Sequence, residues 1–286
     1  MNARHDCKRR VAPSRMLHVI AVVFVAFACG AWEPVKPWPI EDTYTTRTIV
    51  TGSDERNRPL GFRLCFEDVL VKASGDYRVA DDKRVPKLAA NAAHYIAGFS
   101  YRDRLEGKPL GDEQGTYDRP HYLTCKFDPA KIDAVLRQLG RKPWAGQRPR
   151  LVLIAAVHGR KASGILTADG PVDPDMRESL DAAAIRYGMT VELPSAAALR
   201  QEGITLDNVA TAGETALKAL AVAAKADLPV HGDLTFRESA LGWIATWDVE
   251  AGGKHVRWSV RGVNYDEAFR NVVRGVMLAL SGSGKP

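Results

Sequence analysis

Hydrophobic and polar positions change period several times along the chain, and each change marks an element. Thr43 to Val50 (TYTTRTIV) alternates and is rich in β-branched residues, which predicts a strand. Thr51 to Asp54 carries turn and N-cap chemistry, and a helix is predicted from about Glu55 to Ala73, with Pro59 tolerated near its first turn. Its apolar face runs along either Leu60, Leu64 and Val71 or Phe62, Phe66, Val69 and Leu70, and Ser74-Gly75-Asp76 ends it. A second helix over 84–96, a strand over 99–104, a Gly-rich charged hairpin tip over 105–119 and a return strand over 121–127 follow. Asp128-Pro129 opens a helix to about Gly140, with Asp128 as N-cap and Pro129 at the first helical position. The order β-α-α-β-β-α describes a compact α+β unit.

Residues 141–149 (RKPWAGQRP) break the pattern and are read as a boundary. Leu151 to Val157 (LVLIAAV) is a continuous apolar run, which suits a strand covered on both faces. A polar loop over 158–172 precedes a helix from Asp173-Pro174 to about Tyr187, closed by Gly188. A short strand over 189–193, a short helix or turn over 194–202 and a helix over 214–225 come next. Strands over 228–238, 242–250 and 254–261 form an antiparallel meander with a hairpin turn at Gly252-Gly253, and a helix over 265–280 closes the pattern. The predicted fold class is α+β, with two α/β-type domains. The N-terminal α+β domain spans 44–142, the linker 143–149, and the C-terminal α/β domain 150–281, a mixed sheet with flanking helices and an antiparallel three-strand meander.

The first 43 residues carry a different pattern. Residues 1–15 hold Arg4, Lys8, Arg9, Arg10 and Arg15 against Asp6, and Met16 to Ala28 is a 13-residue apolar run broken only by His18. That run is short for a bilayer span, which needs about 20 residues, and the arrangement predicts a signal peptide over 1–28. Ala26-Phe27-Ala28 fits the small-x-small cleavage pattern, and the same site would place Cys29 first in the mature chain, as in a lipoprotein. Cys29 is therefore the candidate lipidation site, and the only route to a membrane this reading offers. Residues 29–43, with Trp32, Pro34, Pro37, Trp38 and Pro39, read as an extended linker. The predicted location is the periplasm, free or anchored to a membrane facing it. The leader also accounts for most of the formal charge of +6, leaving about +2 on residues 29–286. The remaining basic runs are short and without interleaved aromatics, so no nucleic-acid partner is expected.

Candidate chemistry is sparse. No GxSxG, HExxH, Walker or GxGxxG pattern occurs, no Cys/His spacing suits a metal, and no cofactor is expected. The tail Gly282-Ser283-Gly284-Lys285 resembles a phosphate loop in letters only, because it follows a helix instead of joining a strand to one. His158 ends the first strand of the second domain, where open α/β sheets form ligand crevices, and Arg160, Lys161 and Ser163 share its loop, so an anion could bind there. His231-Gly232-Asp233 places a base and an orienting carboxylate on one face, with no nucleophile in sight. Trp243 and Trp247 share a face by period two, which suits either a glycan-stacking platform or packing under the last helix; Trp258 lies on the neighbouring strand. Cys65 and Cys125 are expected in the core of the first domain, as a disulfide or as two buried thiols.

Several segments, taken in order, resemble a known family. Val69 to Asp76 (VLVKASGD) is similar to its LVRVSGD segment, and Tyr95 with Phe99-Ser100-Tyr101 to its tyrosine-rich strand. Phe127-Asp128 with Leu136 to Leu139 matches its "FD…LLRQ" helix, and Pro143-Trp144 with Arg148-Pro149 its "W…RP" hallmark. Ala182 to Ala184 and Gly188 to Pro194 resemble its "AA…RG…LPL" region. This is the domain of unknown function 2066 family, proteobacterial envelope proteins without an assigned activity. The chain departs from it at Cys65, at Ile154-Ala155 and in the long loop at 105–119. The resemblance implies an envelope location and brings no catalytic residues. The layout of the second domain is also similar to small periplasmic α/β modules such as the amino-terminal domain of TolB. The expected function is that of a non-catalytic accessory protein working through an unidentified envelope partner. A binding module for an anionic or glycan ligand and a hydrolase of unfamiliar motif are the alternatives.

Overall fold

The β-branched run after Asp42 folds as predicted. Strand β1 (Thr45–Thr51) turns Val50 inward and Arg47 and Ile49 outward. Helix α1 (Arg58–Ser74) follows a 3-10 turn and buries Phe62, Cys65, Phe66, Val69 and Leu70, so the second of its two candidate stripes is the core face; Leu60 is exposed. The predicted helix over 84–96 is shorter, a single helical stretch α2 (Val85–Ala89) and a 3-10 turn at Ala92–Tyr95. Strands β2 (Ile96–Asp103) and β3 (Pro120–Phe127) pair antiparallel, and β3 lies in the middle of a three-stranded sheet ordered β1-β3-β2. Helix α3 (Pro129–Gln138) starts on Asp128, whose carboxylate accepts from Ala130 N (2.9 Å) and Lys131 N (3.3 Å). The computed structural model describes residues 42–107, 119–170 and 174–286. Cys29, the signal peptide, most of the 29–43 linker, residues 108–118 of the hairpin tip and Asp173 lie outside them.

The second sheet has six strands. β4 (Arg150–His158) is flanked on one side by β5 (Ser163–Ile165, antiparallel) and β6 (Thr190–Glu192, parallel). On the other side the order continues with β7 (Leu228–Arg237, parallel to β4), β8 (Gly242–Ala251) and β9 (Lys254–Val263), the antiparallel meander read from the sequence. β5 falls within the predicted loop over 158–172, where three residues centred on a Gly carry no period. Residues 151–157 are buried throughout, as expected of a strand covered on both faces. Leu151, Leu153, Ala155 and Val157 face helices α4 (Pro174–Tyr187) and α7 (Tyr265–Ser281). Val152, Ile154 and Ala156 face α5 (Ala196–Gln201), α6 (Glu214–Ala223) and a 3-10 turn at Val209–Thr211.

The two sheets share one core. A single cluster of buried apolar residues runs from Val50 and Phe66 to Trp247 and Phe269, and the described residues fall in one compact unit. The predicted linker at 143–149 therefore separates two sheets within one body. Arg148 lies over the Trp144 ring at 4.2 Å and donates to the Lys72 carbonyl, and Trp144 N donates to Ala73 O (2.7 Å), so the segment is pinned to the end of α1. Burial lowers the Arg148 pKa to about 10. Asp68 on α1 pairs with Arg186 on α4 at 2.7 Å. Burial raises the Asp68 pKa against the opposing pull of Arg186.

Left-handed Gly75, Gly140 and Gly282 follow α1, α3 and α7 at one end of the body, with φ near 70° in each. Helix C-termini leave carbonyls without intrahelical donors, and cations suit that end of the dipole. Arg84 accordingly donates to Gln138 O (2.8 Å) and Leu139 O (3.1 Å), and Arg78 to Ser283 O (2.6 Å). Buried Asp76 holds Arg78 (2.7 Å) and Arg141 (3.2 Å) together. The SGD segment and the Gly-Ser-Gly tail thus form one joint, with Ser281 Oγ donating to Gly75 O (3.2 Å).

Arg186→Ala should leave the Asp68 carboxyl buried beside Glu67 without its cation, and is expected to cost about 2 kcal/mol. Asp68→Asn keeps an acceptor for Arg186, sheds the buried charge and should cost less. Urea unfolding of both variants checks the order; equal losses would mean the pair contributes packing alone.

Candidate functional site

Period two divides the meander into a core face and an outer face. Val230, Leu234, Ala245, Trp247 and Val249 turn toward α4 and α7. His231, Asp233 and Thr235 on β7, Thr246 and Asp248 on β8, and His255, Arg257, Ser259 and Arg261 on β9 turn the other way. α5 and α6 cover the β4 side of this outer face and leave the β9 side open: His255, Arg257, Ser259 and Arg261 are all exposed. The Gly between His231 and Asp233 is required by packing. A Cβ at Gly232 would lie 2.2 Å from Thr246 O and 2.4 Å from the Trp247 ring.

His158 is at the site, as its strand-end position implied, and its Nε2 lies 3.1 Å from Asp233 Oδ2. Thr235 Oγ1 donates to the other Asp233 oxygen at 2.5 Å. The carboxylate of the HGD triplet is therefore engaged by His158 on β4 and Thr235 on its own strand. His231 sits instead against the second pair of the row, where buried Asp248 lies 2.9 Å from His255 Nε2 and 3.7 Å from Arg257. Burial lowers the His231 pKa; Asp248 opposes the shift, while His255 and Arg257 add to it. Between the two pairs lies a shallow cavity of about 90 Å³, bounded by Ala156, Val209 and Thr246. Among the described residues no serine or thiol hydrogen-bonds to His158 or His231, and no group of three or more His, Cys, Asp or Glu side chains is placed to hold a metal ion.

The other candidates separate. Arg160, expected to serve an anion, is bound to Glu238 (2.9 Å) and stacks on Phe236 at 4.2 Å. Lys161 and Ser163 are exposed in the β4–β5 hairpin. Trp243 and Trp247 share a face as expected, but Trp247 has no exposed surface, so the glycan platform loses one of its two rings. Its ladder partner Trp258 is covered by α7, where Gly275 leaves it room and Asn271 accepts from its indole N–H (3.1 Å). Trp243 keeps a partly exposed ring against Phe236. Asp248, His255 and Arg257 were not singled out from sequence, although the alternation of β9 (KHVRWSVRGV) puts every polar side chain after Lys254 on one face.

Cys65 and Cys125 are both buried, as free thiols, and Cys65 Sγ approaches Leu123 O at 3.9 Å. Burial and the neighbouring Cys65 push the Cys125 thiol far above its ordinary range.

The fold and this face define an α+β protein with an open, charge-paired sheet surface. Residues 39–145, about a third of the chain, match the family described as a domain of unknown function (DUF8605). The match holds the first sheet with α1 and α3, ends inside the predicted linker, and leaves the second sheet outside. No curated protein and no solved structure matches the chain. An uncharacterised domain is thus present, under a different family description from that of the resemblance read from the sequence.

Two outcomes are expected. The unfolded state holds more protons on a His whose folded pKa is lowered, so His231 should reduce stability as pH falls below about 6.5. His231→Gln should flatten that part of a melting-temperature profile between pH 5 and 7, and an unchanged slope would assign the loss to other groups. In the reduced protein, Cys65 and Cys125 should resist iodoacetamide until urea unfolds the chain, because the thiolate is the reactive form.

Proposed function

We propose that the chain is an exported envelope protein that catalyses no reaction and works as an accessory to envelope or wall assembly, meeting its partner on the outer face of the second sheet. The observation that carries this reading is the pairing of acidic with basic side chains along that face. His158 has Asp233, and His255 and Arg257 share Asp248. Nucleophilic catalysis needs an attacking group beside its base, and an open row of paired charges supplies none. Such a row on a rigid sheet suits electrostatic complementarity with a protein surface, which sets register and specificity more than raw affinity. The basic, then apolar, then small-residue order of 1–28 supports the address, as does the resemblance to the domain of unknown function 2066 family. A ligand-binding role for the His158–Ser163 loop is weaker, since Glu238 already occupies Arg160.

The test is a photo-crosslinking amino acid placed at Ser259 or Arg261 on the exposed face, with Val222 on the outer side of α6 as control, in intact cells. One discrete adduct from the β9 positions, absent at Val222 and lost in Asp248→Asn, is expected; adducts equal at all three positions, or none, would overturn the reading. Mass measurement of the mature N terminus tests the address separately. Processing after Ala28 is expected, and an added diacylglycerol on Cys29 would identify a lipoprotein.

A further inference from the structure

The first sheet also has an outer face, and its charges are not balanced. Register places Tyr122 on β3 between Ile49 on β1 and Arg102 on β2. The guanidinium carbons of Arg47, Arg102 and Arg104 lie 5.3, 5.3 and 5.2 Å from the Tyr122 ring centroid. Stacking on the ring orients them and leaves their charge uncompensated. Among the described residues no carboxylate pairs with any of the three: Asp103 is held by Arg119 and Asp68 by Arg186, while Glu178 and Asp181 line the groove from α4 without an ion pair to them. Arg47 is partly buried, donates to Thr124 Oγ1 (3.3 Å), and its pKa is lowered by burial and by Arg102. Three like charges held around one ring without a counter-charge are costly unless an anion completes the group.

Beside them runs a groove of about 520 Å³ walled by β1, α1 and α4, with Arg47, Arg104 and Tyr122 in its lining. Ile49 and Ile185, both exposed, supply its apolar walls, and Glu178 and Asp181 stand on the α4 side. We propose that this cluster is a binding site for a phosphoryl group, held by Arg47, Arg102 and Arg104, with the rest of the ligand lying along Ile49 and Ile185. Guanidinium forks match phosphate oxygens bidentately, and three of them suit a multiply charged oxyanion better than a single carboxylate. The acids on α4 repel the anion and favour its seat on the arginines of the sheet. The head group of an anionic lipid and a free phosphate ester share this chemistry. The site is built from the first sheet with α1 and α4 and shares no residue with the face proposed to meet a partner on the second sheet.

The experiment measures binding of inorganic pyrophosphate to the full chain by calorimetry at about 150 mM salt, where exposed charges are screened. Sedimentation with vesicles of phosphatidylglycerol or of phosphatidylcholine alone runs beside it. Each of Arg47→Gln, Arg102→Gln and Arg104→Gln should weaken pyrophosphate binding about tenfold. Glu178→Gln with Asp181→Asn should tighten it, and Arg257→Gln on the other sheet should leave it unchanged. Arg102 and Arg104 are exposed, so their variants keep the fold, as circular dichroism will verify. Pyrophosphate binding without vesicle binding supports a free phosphate ester; arginine-dependent binding to the anionic vesicles alone or as well supports the head group. Absence of both, or binding that survives Arg102→Gln with Arg104→Gln, overturns the site.

Discussion

Lys72 has no exposed surface, and among the described residues it is the buried cation around which both halves of the molecule close. An ammonium taken out of water must meet oxygen atoms in place of its hydration shell. Its Nζ donates to Asp42 O and Thr45 O, both at 2.7 Å, where the chain enters β1. Its stem fills the space at Gly188, the turn between α4 and β6, where a Cβ would come within 2.0 Å of Lys72 Cε. One side chain on α1 therefore fixes the start of the first sheet and abuts a turn of the second. Arg148 binds the carbonyl of the same residue, and Asp68 and Arg186 close the seam one helical turn earlier. The arrangement is specific because its partners are single atoms at single positions; an apolar seam of equal area would tolerate sliding.

With α1, α4 and α7 occupying the space between the sheets, each sheet is left with an outer face. The two faces meet opposite fates. On the second sheet α5 and α6 bury Val152, Ile154 and Ala156, and both aspartates of the remaining polar row are held by neighbouring side chains. On the first sheet Tyr122 stays partly exposed, and among the described residues the arginines around it meet the ring and one threonine hydroxyl with no carboxylate paired to them. Internal pairing removes the reason for a charged ligand, while its absence creates one. The same reasoning explains why the large groove at the joined helix ends is a poor anion site. Its arginines already serve carbonyls and Asp76, and three helix C-termini point negative dipole ends toward it.

Much of the fold was legible in the residues. The Asp-Pro helix start, the continuous apolar run of β4 and the meander with its Gly252-Gly253 turn each depend on local chemistry, and each lies where that chemistry places it. What failed was non-local. The break at 141–149 is real as a change of sheet, yet Trp144 and Arg148 dock on α1, so two apparent domains share a core. A Pro-rich break in periodicity shows that an element ends and carries no information on what the broken segment packs against.

The candidate site shows the same limit at the scale of side chains. Alternation told which face His231, Asp233 and Trp247 occupy, and those faces are correct. It could not tell that Asp233 would stand opposite Ala156, diagonal to His158, because that register is set by a parallel pairing between strands separated by α4, β6, α5 and α6. A His and an Asp two residues apart on one strand look like a pair by spacing alone. Across a sheet the nearest neighbours belong to adjacent strands, so each of the two is claimed by a side chain from elsewhere: Asp233 by His158, and His231 by the field of Asp248 and His255. The arginines around Tyr122 were invisible for the same reason. Arg47 stands far from Arg102 and Arg104 in sequence, and only the pairing of β1 and β2 on either side of β3 makes them one group.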